Sequence, residues 1–157
     1  FNYKNALFLM IDVTSPIELQ SSWVEEQLSR SQAKWKFAMF HFPPYNYEED
    51  YSEIRKEWCT LFDTYHVDMV MSGHTHYYMR SLPIFNEQVL EHPSQGTVYV
   101  ISVGIPGMHE NMPEEKYAAH RDGNGCLYQH MEIIGDKLFY KSLDINGNIK
   151  DTFIIQK

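Results

Sequence analysis

The sequence predicts an α/β fold, with parallel βαβαβ units first and antiparallel strands after them. Three observations carry this. Near-continuous apolar runs at 6–12, 36–40 and 67–71 have the character of strands buried on both faces. Segments with helical apolar spacing separate them, and strand-helix-strand alternation implies parallel pairing with right-handed crossovers. Beyond Gly96 the rhythm changes to Thr97-Val98-Tyr99-Val100-Ile101-Ser102-Val103, then to strands joined at Gly135-Asp136 and Asn146-Gly147, dipeptides that favour tight hairpins.

The elements follow in order. After the first strand, Ser15-Pro16-Ile17-Glu18 sets an N-cap, a first-turn proline and an N3 glutamate in sequence, and Ser22-Trp23-Val24-Glu25 offers a second start. A helix is expected between 16 and 30. The second strand leads into a rigid turn, Phe42-Pro43-Pro44-Tyr45. Ser52 is expected to cap a helix reaching about residue 65, its inner stripe formed by Ile54, Trp58, Leu61, Phe62 and Tyr65. A third strand follows at once. Residues 1–157 read as one domain: 1–95 is the βαβαβ part, carrying the candidate ligand loops, and 96–157 is mainly antiparallel. A loop at 104–125, rich in Gly, Pro, Met and His, is too long for a simple connection.

Composition narrows the function. The chain has 157 residues, 43% hydrophobic and 22% charged, which excludes disorder and coiled coil. Its 13 basic residues stand against 21 acidic ones, a net charge of −8, so no nucleic-acid partner is expected. No apolar run approaches the roughly 20 residues that cross a bilayer, and no membrane role is expected. The sequence opens on Phe1 and runs at once into a strand, which reads as a piece of something longer and leaves the compartment unassigned. Cys59 and Cys126 are too few for a disulfide framework; they are two core thiols or one bridge.

Eight histidines are present, and three are singled out by position. The strands at 36–40 and 67–71 run parallel, about 4.8 Å apart if adjacent, so the loops at their carboxyl ends share one edge of the sheet. His41 and Gly73-His74-Thr75-His76 therefore converge. In an extended loop, His74 and His76 at i and i+2 point the same way, and Gly73 lets the backbone come close. Three imidazoles suit zinc, iron or manganese. Such a metal would also supply the positive field that an acidic chain lacks.

These residues resemble the calcineurin-like metallophosphoesterases, within them the purple acid phosphatase-like branch. The resemblance rests on His41-Phe42-Pro43-Pro44-Tyr45 and on Val67-Asp68-Met69-Val70-Met71-Ser72-Gly73-His74-Thr75-His76-Tyr77-Tyr78-Met79-Arg80. It continues more weakly from Gly96 to Phe153. It implies the C-terminal half of a four-layer α/β-β/α sandwich catalytic domain. It also implies two divalent or trivalent metal ions (Fe, Zn or Mn) in the complete domain, and in-line attack on a phosphate ester. By resemblance His41 and His74 hold one metal and His76 the other. Tyr45, Arg80 and His109 are candidate substrate contacts, Arg80 equally able to pair with an acid. Purple acid phosphatase-like proteins are commonly exported, which favours a periplasmic or secreted parent.

The departures shape the expectation. The family's D-x-H, G-D-x-x-[DY] and G-N-H-[DE] motifs, which bring the bridging carboxylate and a catalytic histidine, occur nowhere in this sequence. Asp12-Val13-Thr14 ends a strand without the histidine. Glu48-Glu49-Asp50-Tyr51 stands where the family often has a substrate-facing histidine pair, and Met79 where it often has glutamate. The chain alone is therefore expected to hold no metal or one, and to be inactive without the missing N-terminal half or a partner chain. The rival readings are a non-catalytic binding module and an interaction chain that needs a partner to complete the site.

Overall fold

A computed structural model describes residues 1–102, 104–105, 112–123 and 125–157, so His109 and Asn111 lie outside the described residues. Short β1 (Asn2–Tyr3) pairs antiparallel with β2 (Ala6–Met10). Helix α1 (Ile17–Arg30) crosses to β3 (Trp35–Met39). The second crossover runs through α2 (Ser52–Ile54), a π-helical turn at Arg55–Cys59 and α3 (Thr60–Tyr65) to β4 (Met69–Ser72). There follow β5 (Tyr78–Ser81), the small hairpin β6 (Ile84–Phe85) and β7 (Gln88–Val89), then β8 (Val98–Ile101) and β9 (Ala118–Asp122). A meander, β10 (Leu127–Ile134), β11 (Lys137–Asp144) and β12 (Ile149–Gln156), completes the chain.

The main sheet has the order β1-β2-β3-β4-β8-β5-β9, with β2, β3, β4 and β8 parallel and β1, β5 and β9 antiparallel to their neighbours. Its register explains the continuous apolar runs. Leu9, Ala38, Val70 and Tyr99 lie in one cross-strand row and pack against Val24, Leu28, Trp58 and Phe62 of the helices. The neighbouring row, Phe8, Phe37, Met69 and Val98, turns to the other face, against Leu127, Leu138, Tyr140 and Ile155 of the meander. Both faces are thus covered, and alternation by twos along each strand feeds two cores at once. The result is three layers: helices, mixed sheet and meander.

Local chemistry moved several boundaries. Ser15 does not cap α1, because its Oγ donates to Asp12 Oδ2 at 2.9 Å, and Asp12 also receives the Thr14 amide at 2.8 Å. Pro16 occupies the cap position with no side-chain bond, and Ser22 lies inside the helix. Ser52 is the first residue of α2 rather than its cap, which is Tyr51. The third strand begins at Met69, two residues late, because the Val67 amide still donates to Phe62 O at 2.9 Å around a left-handed His66 (φ 53). The loop expected at 104–125 contains β9, which pairs with β5. Cys59 and Cys126 are free thiols, and burial pushes Cys59 up to about 12. Among the described residues, no helix is long and apolar enough to cross a membrane.

Candidate metal centre

The parallel ladder continues past the ends of its strands, and this gathers the candidate residues. The Ile11 amide donates to Met39 O at 2.9 Å, Gly73 to His41 O at 3.1 Å, and Ser102 to Ser72 O at 2.9 Å. His41, Gly73 and Ser102 therefore stand side by side at the carboxyl edge of neighbouring strands, with Ile11 one step back on the fourth. The rings of His41 and His74 lie 5.2 Å apart, nearly perpendicular. A cavity of about 440 Å³ is lined by both, with Thr75, His76, Ser102, Gly104 and Ile105. It adjoins, through His41 and Ser102, a more apolar one of about 630 Å³ that includes Asp12 and Gln129.

The loop that carries His74 and His76 is not extended. His74 has φ 68, and the Thr75 amide donates to Gly73 O at 2.9 Å, which closes a three-residue turn around His74. This turn is rare for a residue bearing a Cβ and stores strain, of the kind found where a site dictates a side chain's direction. The turn breaks the alternation that would have aimed His74 and His76 alike: His74 is partly buried, His76 exposed. Gly73 is not sterically required, since a Cβ there would come no nearer than 3.5 Å to His41 Nδ1.

Aromatic rings fix His74. Phe42 meets it edge-on at 4.8 Å and stacks on Tyr51 at 5.1 Å and 5°. From the same loop, Glu49 Oε1 lies 3.1 Å from His74 Nε2, and the Tyr51 hydroxyl donates to Glu49 Oε2. Asn46 shapes the loop, its Oδ1 accepting the Glu48 and Glu49 amides at 2.9 and 2.8 Å. The hydrogen bonds from Tyr51 and His74 hold the Glu49 carboxyl below its ordinary range. Burial, followed by the Glu49 contact, raises the Tyr51 phenol.

The other sequence candidates lie elsewhere. Arg80 points to the meander, where Nε and Nη2 reach Asp151 at 2.6 and 3.0 Å and its guanidinium lies 4.6 Å from the Phe153 ring. It thus pairs with an acid. Tyr45 packs on Tyr99 and Tyr117 in a neighbouring cavity with Glu49, Asp50 and Arg55. Among the described residues, no three His, Cys, Asp or Glu side chains stand close enough to hold a metal together. The sequence reading placed Glu49 only in an acidic stretch where the family often has a histidine pair, and missed its contact with His74. The signal was Asn46, whose turn-forming side chain carries the next three residues back over the strand end.

Residues 5–78 match the family model described as calcineurin-like phosphoesterase. Purple acid phosphatase 23 of Arabidopsis thaliana is 40% identical over 136 residues, covering 82% of this chain. The chain belongs to the calcineurin-like metallophosphoesterases, on their purple acid phosphatase-like branch. The Fe(3+)-Zn(2+) purple acid phosphatase 12 of the same plant is 30% identical over 131 residues, 69% of this chain. The fold agrees: the purple acid phosphatase PPD1 from yellow lupin (Lupinus luteus) seeds superposes over 99% of this chain with a TM-score of 0.80 at 16% identity. This metallophosphoesterase chain spans 27% and 28% of the two Arabidopsis relatives and 32% of the lupin chain.

Proposed function

We propose that this chain is the histidine-bearing part of a metal-dependent phosphoesterase that hydrolyses phosphate esters. His41 and His74 would be donors to one metal and His76 to a second, with iron, zinc or manganese the fitting ions. The observation that carries the reading is the pair of His41 and His74 rings at the ends of adjacent parallel strands, opening on a cavity that His76 also lines. The donor chemistry fits such a metal, since neutral imidazole suits zinc and iron, manganese less well. The related Fe(3+)-Zn(2+) phosphatase supports the choice of ions.

When bound, the metals would supply positive charge for the phosphate oxygens and make water a better nucleophile at neutral pH. The chain's own residues bind and orient. Phe42 and Tyr51 clamp the His74 ring, and the turn at Gly73-His74-Thr75 sets its direction. The ladder bond from Gly73 to His41 O keeps the two histidines adjacent. The bridging carboxylate and catalytic histidine of the family have no counterpart motif here, so a complete centre would draw them from further polypeptide.

The test is zinc binding by the 157-residue chain and its variants, followed by competition with a chromogenic chelator. The expected result is at most about one zinc per chain, bound weakly and lost in His74→Ala and in His41→Ala, with no phosphatase turnover. Zinc binding unchanged in both variants would refute the assignment.

A further inference from the structure

On the face of the main sheet that meets the meander, one cross-strand row is covered and the next is not. Phe37, Met69 and Val98 are buried beneath the meander. Two residues further along β2, β3 and β4, the register sets Met10, Met39 and Met71 side by side, with Val100 of β8 after them. Alternation by twos turns them to the same face. Yet Met10 is 59% exposed, and Met39 and Met71 are only half-buried. The three methionines line the cavity of about 630 Å³ together with Gln129 of β10. The uncovered apolar surface runs on to the margin of the sheet: Phe8 stacks on Phe37 at 5.0 Å, and the exposed Phe1 stacks on Phe8 at 5.0 Å.

The border of this surface says what covers it. One more step of two residues, about 6.6–6.8 Å along the strands, leads from the methionine row to His41, Gly73 and Ser102. Neutral imidazoles there leave a dication uncompensated, and among the described residues no three His, Cys, Asp or Glu side chains stand close enough to hold a metal together. An anionic donor has to come from outside them. Gln129 adds an unmet need: its Oε1 accepts from Ser102 Oγ, while its Nε2 is buried without an acceptor among the described residues. The cover is therefore apolar on the methionines, acidic one step later and able to accept a hydrogen bond. An extended strand meets all three demands, because its inward side chains repeat at the same spacing and its carbonyls accept. The chain spans 27% and 28% of its two Arabidopsis relatives, so such proteins hold further polypeptide to supply one.

We infer that the face formed by Phe8, Met10, Met39 and Met71 takes a β-strand of further polypeptide whose inward residues read apolar-x-acid, its carboxylate arriving beside His41. The role of the carboxylate rests on the reading of His41 and His74 as ligands; the apolar contact does not. Methionine suits the contact, since its unbranched thioether moulds to the side chains laid on it.

The experiment co-expresses the 157-residue chain with a tagged polypeptide, Arabidopsis purple acid phosphatase 23 lacking the segment that this chain matches. That segment, supplied as a separate chain, is the reference. Recovery on the tag and zinc per complex are read for the wild type, Met10→Lys, Met39→Gln, His74→Ala and, on the outer face of the meander, Ile134→Asp, where the side chain is 59% exposed. Circular dichroism of each free chain checks that it folds. The expected result is recovery of the wild type and Ile134→Asp within about twofold of the reference, at least about fivefold less of each methionine variant, and more zinc per complex than per free chain. Methionine variants recovered within about twofold of the wild type would overturn the inference, as would an equal loss in Ile134→Asp or a wild type left behind where the reference is recovered. Normal recovery with no gain in zinc would overturn the role of the carboxylate. Zinc undiminished by His74→Ala, with both methionine variants lost, would refute the ligand reading and leave the contact standing.

Discussion

Replacing Asp151 by Asn should cost this fold about 3–5 kcal/mol, because it leaves Arg80 charged and buried without the one carboxylate it pairs with among the described residues. The two side chains are 5% and 14% exposed. Arg80 makes two bonds to the carboxylate, the Tyr78 hydroxyl adds a third at 2.8 Å, and Tyr140 joins Tyr78 at 3.1 Å. These residues belong to β5, β11 and β12, so the pair ties the main sheet to the meander. With a urea slope of about 2 kcal/mol per molar, the midpoint should fall by about 2 M. The reciprocal variant, Arg80→Met, should be comparably costly. The double variant Arg80→Met, Asp151→Leu should cost far less than the sum, since no orphan charge remains. Urea unfolding followed by far-ultraviolet circular dichroism measures all three. Additive losses, or a single-variant loss below about 1 kcal/mol, would refute the argument. Because β5 begins two residues after His76, the same variants should also weaken zinc binding.

The remaining expectations follow from single contacts. Burial tends to raise the Asp151 carboxyl, but the hydrogen bond and charge of Arg80 outweigh it and hold the pKa below the ordinary value; its stabilisation is then full above about pH 4 and lost as pH falls through the folded-state value, a contribution to acid unfolding that Asp151→Asn should remove. A Cβ at Gly96 would sit 2.6 Å from Ile84 O, whereas at Gly73 the nearest atom is 3.5 Å away; Gly96→Ala should lose about 1–3 kcal/mol and Gly73→Ala less than 1 in thermal unfolding, and the reverse order would contradict the packing. Cys59 is buried with its thiol raised to about 12, and Cys126 is only partly buried; a thiol reagent at pH 8 should label one cysteine quickly and the second only on unfolding, whereas two fast labels would show that Cys59 is not enclosed.

Strands β2, β3 and β4 were legible because their rows serve two cores and are apolar at nearly every position, as Phe37-Ala38 and Met69-Val70 are. The helix α1 was legible in extent but not in its cap, because Asp12 competes for Ser15 from a position outside any capping pattern. Strands β5 and β9 were obscure: their pairing is antiparallel across a long loop, and Tyr78-Met79-Arg80 reads as the tail of a motif. The edge that gathers His41 and His74 followed from parallel pairing alone. The turn at His74 did not, since nothing in Gly-His-Thr-His announces a positive φ at the histidine rather than the glycine. Nor did the clamp of Phe42, Tyr51 and Glu49, which depends on a loop fold set by Asn46.

Metal binding by His41 and His74 at the carboxyl edge of the sheet, as proposed above, is read by metal content per chain in plasma mass spectrometry. The chain, purified without chelator, is offered zinc, iron and manganese alongside His74→Ala. The wild-type chain should hold at most about one metal, and the variant none. About two metals per chain, or a content unchanged by His74→Ala, would contradict the assignment.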